Sequence, residues 1–359
     1  MAMTMMLKTT RRVSGWLAAA AGIGLCAFSA SAAPGGAAGT TTNLKVRIIQ
    51  TNSAGDAVDV IDPVTNKVVG EIAGIEVNHG VAIAPDGSHI YVSDEAESTL
   101  DVADGKTLKV MKRIKLSGHP NNVALTPDGK RLYVAINEDN GGLNVIDTAS
   151  LTDVKTIPIK GGIHNPYVTP DGKYAVAGSI SGKTINVVDV QTNELVWSLN
   201  MGLGVRPMAM LKNADGSTKW IFAQLSDFNG FAVVDFATHK ELRRITNPDL
   251  PPGKKTVPEG ADPSHGIAVT PDGKLLVVNS RLNNSVYTYS LPDLKPVGSV
   301  YLGGMGAAWI TLTPDGKTAY VANAVTNDVS VVNLKDMKEV ARIPVGYVPK
   351  RNTTGMLPE

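Results

Sequence analysis

The chain has 359 residues, 43% hydrophobic and 19% charged, and its 34 basic against 33 acidic side chains leave a formal net charge of +1. That balance excludes a global field directing the protein to nucleic acid. The single cysteine, Cys26, lies near the N-terminus, so the rest of the chain has neither a disulfide framework nor thiol chemistry.

In chain order, Lys8, Arg11 and Arg12 precede the apolar run Val13–Phe28, and Ala30-Ser31-Ala32 offers a small-residue cleavage site before Ala33. The pattern predicts a signal peptide over residues 1–32. The general secretory route is favoured, because the bulky hydrophobic pair expected after a twin arginine is missing. The apolar run is too short for a membrane anchor. The mature protein is therefore expected to be periplasmic or secreted, with no transmembrane anchor after cleavage. Residues 33–43 (APGGAAGTTTN) read as a flexible lead, and residues 44–359 as one domain.

That domain is a repeat. The phrases VAIAPDGSHIYVSDE (81–95), VALTPDGKRLYVAINE (123–138), YVTPDGKYAVAGS (167–179), IAVTPDGKLLVVNS (267–280) and ITLTPDGKTAYVANA (310–324) share one Pro-Asp-Gly turn, and MAMLKNADGSTKWIFAQ (208–224) is a degenerate copy. A spacing of about 42–44 residues, longer only before Asp272, matches a propeller blade of four strands. In one unit, Val123-Ala124-Leu125 is the inner strand and Pro-Asp-Gly reverses the chain, because Pro presets φ, Asp bonds its own backbone and Gly takes positive φ. Leu132–Val134, Leu143–Asp147 and Val154–Pro158 follow as the outer strands. Asp62, Asp104, Asp147, Asp189 and Asp235, with Ser290 and Asn333 in later copies, open the outer hairpin turns, which makes them turn residues and not catalytic acids.

Third strands number seven. The first unit, Val46–Gln50 through Ile72, lacks an inner strand, whereas Gly346–Thr353 reads like the lead-in to one. The expectation is an all-β, seven-bladed β-propeller of four-stranded antiparallel blades, its ring closed by the C-terminal segment, which removes exposed strand edges.

The copies with YVSD (91–94) and YVAN (320–323), each a Pro-Asp-Gly turn followed by a strand of the Val58–Asp62 type, resemble YVTN-type seven-bladed β-propeller repeat proteins over about residues 44–356. The resemblance implies the fold and is weakly specific for function. Similar propellers include periplasmic proteins, surface-layer proteins and lyase- or lactonase-like enzymes. More distantly, propeller domains occur in nitrous oxide reductase and haem-d-containing nitrite reductases.

Chemistry is expected on the face opposite the Pro-Asp-Gly turns. Aligned on those turns, His79, His164 and His265 each fall six residues before the turn proline, in alternate blades. Asn121 holds that position in blade 3, with His119 two residues earlier. Arg206 takes the His119-like position in blade 5, and Lys350 and Arg351 lie on the closing segment. One expectation is a transition-metal site (Zn, Cu or Fe) of His79, His164 and His265, with His119 as a fourth ligand or supporting partner. Arg206, Asn121, His119, Lys350 and Arg351 would then bind a small anionic molecule. The alternative is that the histidines merely cap strands. Asp94, Glu95, Glu138 and Asp227 lie in loops on the same face. Ser226 and Ser264 lack a recognisable base and orienter, and Trp309 and Tyr167 read as packing residues. The long segment 247–263 is expected to act as a lid or docking loop.

Three functions follow from this reading. The first is an exported propeller binding a ligand, a metal or metal-bound cofactor included, at a histidine-rich channel mouth and serving a periplasmic protein partner. The second is a metal-dependent lyase, lactone hydrolase or oxidoreductase. The third is an interaction scaffold without a small-molecule site.

Overall fold

The computed structural model describes residues 43–257 and 262–359. The expected signal peptide, 1–32, and all of the 33–43 lead except Asn43 lie outside the described residues. The described residues form one unit, in which seven four-stranded antiparallel sheets follow one another. Blade 2 is typical: Asn78–Ile83, His89–Asp94, Thr99–Asp104 and Val110–Lys115 run from the innermost strand to the edge. The inner strands of blades 3 to 7 are Pro120–Leu125, Ile163–Val168, Val205–Lys212, Ser264–Val269 and Ala307–Leu312.

Closure occurs as the sequence predicts. The C-terminal strand Pro349–Pro358 is the inner strand of blade 1, beside Leu44–Asn52, Ala57–Asp62 and Lys67–Ala73. Its register runs from Leu44 opposite Pro358 to Asn52 opposite Pro349.

The core lies between blades. Tyr91, Leu100 and Val102 of blade 2 pack on Val123, Leu132 and Val134 of blade 3, and Ile48 and Ile61 of blade 1 pack on Tyr320, Val329 and Val331 of blade 7. Each fully buried aliphatic side chain contributes roughly 1.5–3 kcal/mol. Outer strands alternate exposed apolar residues such as Val154 and Val340 with charges that discourage edge pairing.

The Pro-Asp-Gly turns behave as turn chemistry requires. Thr126 Oγ1 donates to Asp128 Oδ1 at 2.6 Å and the Lys130 amide donates to the same oxygen at 3.1 Å. Gly129 has φ 72°, and an added Cβ would meet Pro85 of the preceding blade at 2.9 Å, so these neighbouring turns interlock, as do Gly172 with Pro127 and Gly316 with Pro271. The outer-turn aspartates are likewise consumed locally, as where the Val64 amide and Thr65 hydroxyl donate to Asp62.

Candidate functional site

Every inner strand carries an irregularity where it leaves the channel mouth. In blade 2, Asn78 pairs with Asp94 and Val81 with Val92, so His79 and Gly80 face Ser93 alone. Equivalent register shifts occur at the same level in the other six blades. Two residues opposite one is a β-bulge, which re-aims a side chain and is common beside functional sites. The bulges set one ring of equivalent residues: Lys350, His79, Asn121, His164, Arg206, His265 and Ala308, from blade 1 to blade 7.

This ring corrects one expectation. Arg206 does not share the position of His119. The pairs Val205–Leu225 and Met208–Ala223 put it level with His265. The inner strand of blade 5 is longer than those of blades 2, 3, 4, 6 and 7 and carries a second shift at Leu211/Lys212, so alignment on the degenerate turn misplaced it by two residues.

Each ring histidine is held by Nδ1. His265 Nδ1 donates to the Ala308 carbonyl at 2.7 Å, and His79 Nδ1 donates to the Glu95 carboxylate. His164 Nε2 faces Arg351 Nη2 at 3.3 Å. Because a guanidinium only donates, His164 carries its proton on Nδ1, and the neighbouring Asn165 amide must turn its oxygen toward the ring. The His164 and His265 rings meet edge to face with centroids 5.4 Å apart. Burial, then the positive charge of Arg351, keep all three neutral. His79 is lowered to about 4, and His164 and His265 lie well below the ordinary histidine value.

Arg351 is the centre of the arrangement. It is 1% exposed. Its guanidinium stacks over Trp309, 4.1 Å from the ring centroid, and Nη2 donates to Asn121 Oδ1 at 2.9 Å. Among the described residues its Nε and Nη1 have no hydrogen-bond partner. Burial pushes its pKa down to about 10 and lowers those of Lys350 and Arg206, yet guanidinium and ammonium groups stay charged at neutral pH. Arg206 Nε donates to Ser226 Oγ at 2.8 Å, so that hydroxyl orients an arginine and is no nucleophile. Ser264 is bound by Asn247 and Asn229.

The carboxylates balance part of this charge. Glu95 contacts His79 and has Oε2 3.8 Å from Nε2 of the half-exposed His119. Burial pushes the Glu95 carboxyl up, but His79, His119 and Arg351 outweigh it and the net direction is down. Asp262 pairs with Arg281 and lies 3.9 Å from His265 Nε2. Arg281 and Asp262 went unnoticed in the sequence, since neither repeats between blades. Glu138 accepts from the His119 amide at 2.8 Å. Asp94 is buried and accepts from the Glu97 amide. His89 and His239 lie elsewhere, on Tyr91 and Trp197 respectively.

The segment 247–263 is not a free lid in its described parts. Tyr287 Oη and Asn283 Nδ2 donate to the Pro248 carbonyl at 3.1 and 3.2 Å, and the Val257 amide donates to the Leu282 carbonyl at 2.8 Å. Blade 6 thus pins both flanks, and the segment delivers Asp262 to the ring. Residues 258–261 lie outside the described residues.

For a metal, the placement is unfavourable. Among the described residues no three His, Cys, Asp or Glu side chains form a group that could hold a metal ion. His164 Nε2 already faces a guanidinium, which repels a cation. Four cations (Arg351, Lys350, Arg206, Arg281) meet three carboxylates (Glu95, Asp262, Asp227) that interact with them. With the imidazoles neutral, the site suits an anion.

Fold and ring define a seven-bladed β-propeller with a basic, imidazole-lined channel mouth. Two family models match the chain, each over less than half of it. A YNCE-like beta-propeller matches residues 6–144, and "Lactonase, 7-bladed beta-propeller" matches residues 160–338. No curated protein matches by sequence. Similar solved structures include Kuenenia stuttgartiensis hydrazine synthase, with TM-score 0.68, 24% identity, and 79% of this chain and 91% of that chain covered. The periplasmic gluconolactonase PpgL of Pseudomonas aeruginosa has TM-score 0.69 and 18% identity, with coverage of 88% and 100%. The dihydro-heme d1 dehydrogenase NirN in complex with DHE has TM-score 0.61 and 16% identity, with coverage of 85% and 74%. At these identities the likeness is one of fold. Among the described residues no helix is long and apolar enough to cross a membrane.

Proposed function

We propose that the protein is an exported β-propeller that binds a small anion at the channel mouth bounded by Lys350, His79, Asn121, His164, Arg206 and His265. The observation that carries this reading is Arg351, a buried guanidinium with two unpartnered nitrogens. A buried donor left without an acceptor costs about 1–3 kcal/mol, and more when charged, and an anion accepting from it recovers that cost. Titration calorimetry with malonate, citrate and inorganic phosphate tests it. Arg351→Gln should weaken the best of them by a hundredfold or more, and Arg206→Gln or Lys350→Gln by about tenfold. Wild type that binds none of these anions, or stoichiometric Zn, Cu or Fe in the purified protein, would overturn this reading, the latter in favour of a metal-loaded channel.

A second reading is lactone hydrolysis. It is favoured by His79, an imidazole oriented by Glu95 and neutral at pH 7, whose Nε2 has no partner among the described residues. The lactonase model spans His164, Arg206, Asp262 and His265 but neither His79 nor Arg351. In this reading His79 Nε2 takes a proton from water as the water oxygen adds to the lactone carbonyl, and the ring C–O bond then breaks while the leaving alkoxide takes that proton back from His79, giving a hydroxy acid. Acid release from a lactone panel, lost in Glu95→Gln, would support it; no release would end it. Kinship with YVTN-type propellers rests on the YVSD and YVAN copies, and export on the basic, apolar and small-residue pattern of residues 1–32.

A further inference from the structure

The channel has a chamber on the Pro-Asp-Gly side of Arg351. Its volume is about 500 Å³, and its lining includes Pro85, Leu125, Val168 and Met356 near the turn ends of the inner strands, with Tyr167, Trp309 and Arg351 nearer the ring. Arg351 therefore borders both the ring and this chamber. The two sides differ in chemistry. Lys350, Arg206 and Arg281 belong to the ring side, and Arg351 is the one charged side chain lining the chamber. Val81, Ile83, Leu125, Val168 and Met356 cannot satisfy a polar group, whereas Asn122, Asn352 and the threonines of the lining can, so the chamber suits an occupant with an apolar body and a polar head. A single guanidinium matches one negative charge, and Thr353 adds a hydroxyl to the same lining.

We propose that this chamber is a binding site for a small amphipathic monocarboxylate, taken from the Pro-Asp-Gly face, with its head on Arg351 and its body against Leu125, Val168 and Met356. This rests on Arg351 being an anion anchor, as above, and adds the ligand class and the side of approach. Trp309 fixes the guanidinium by stacking, so the head group meets a cation already oriented.

The test is calorimetry on the exported protein with 3-phenylpropionate, acetate, 3-phenylpropanol and malonate. Wild type should bind 3-phenylpropionate about tenfold or more tighter than acetate, because a phenyl-bearing body buries apolar area that acetate lacks, and should bind the uncharged alcohol more weakly. Leu125→Glu should weaken 3-phenylpropionate at least tenfold while leaving malonate within twofold. Val168→Glu repeats the test if Leu125→Glu loses its cooperative melt. Equal affinity for 3-phenylpropionate and acetate, or no effect of either substitution, would overturn the chamber while malonate binding upholds the mouth. Loss of all anion binding in wild type would sink both.

Discussion

At the scale of single residues, the ring histidines are poised against protonation. An unfolded histidine takes its proton near pH 6.5, whereas His79 in the folded protein does so at about 4, and burial and Arg351 hold His164 and His265 well below the ordinary value too. The folded-state values are depressed, so the unfolded chain binds more protons as the pH falls. The stability these residues contribute is complete above about pH 6.5 and is lost progressively toward and through pH 4. For His79 alone the loss is on the order of 3 kcal/mol. Melting temperature should therefore drop between pH 6.5 and 4.5, and His79→Gln should flatten that drop; a pH-independent melt in wild type would contradict it. The sequence carries only an imidazole's ordinary value. Burial and the neighbouring Arg351 move it.

At the scale of elements, each inner strand is defined by its turn and by its bulge, and only the turn is written locally. Pro-Asp-Gly is three adjacent residues whose φ preferences and side-chain bonds act within the turn. Asp128→Ala should cost under about 1 kcal/mol and leave anion binding unchanged in calorimetry, as expected of an exposed turn residue. The C-terminal strand is different, because its partners lie across the ring. Asn352 Nδ2 donates to Gln50 Oε1 at 3.1 Å and to the Tyr320 carbonyl at 3.3 Å, joining blade 1 to blade 7. Asn352→Ala should destabilise by about 1–2 kcal/mol in denaturant titration, since it leaves the buried Gln50 Oε1 without its donor. Deleting residues from Gly346 onward removes a whole inner strand and should abolish the cooperative melt. A truncated chain that melts like wild type would refute closure as a source of stability.

At the scale of the whole molecule, export and architecture meet. If residues 1–32 are an address, mass spectrometry of protein from the periplasm or medium should find an N-terminus at or near Ala33, and an intact Met1 in the cytoplasm would argue against it. The number of blades, their four strands and the closing role of the tail were legible in the chain, because repeats echo one another and the missing inner strand of the first unit has its match at Gly346–Thr353. The alternate-blade placement of His79, His164 and His265 was legible for the same reason, and Arg351 stood out as a cation on the closing segment. What only the tertiary structure decided is how these groups face one another. A bulge adds one residue to one strand relative to its partner, so the level of Arg206 depends on pairing that no local motif records. Arg281 and Asp262 reach the ring from a loop and a long connection that do not repeat. The stacking of Arg351 on Trp309, from strands more than forty residues apart, arises only when the ring closes and blade 7 meets blade 1. Local turn chemistry and periodicity determine a propeller, whereas the charge and solvation of its channel are set by side chains that become neighbours through closure alone.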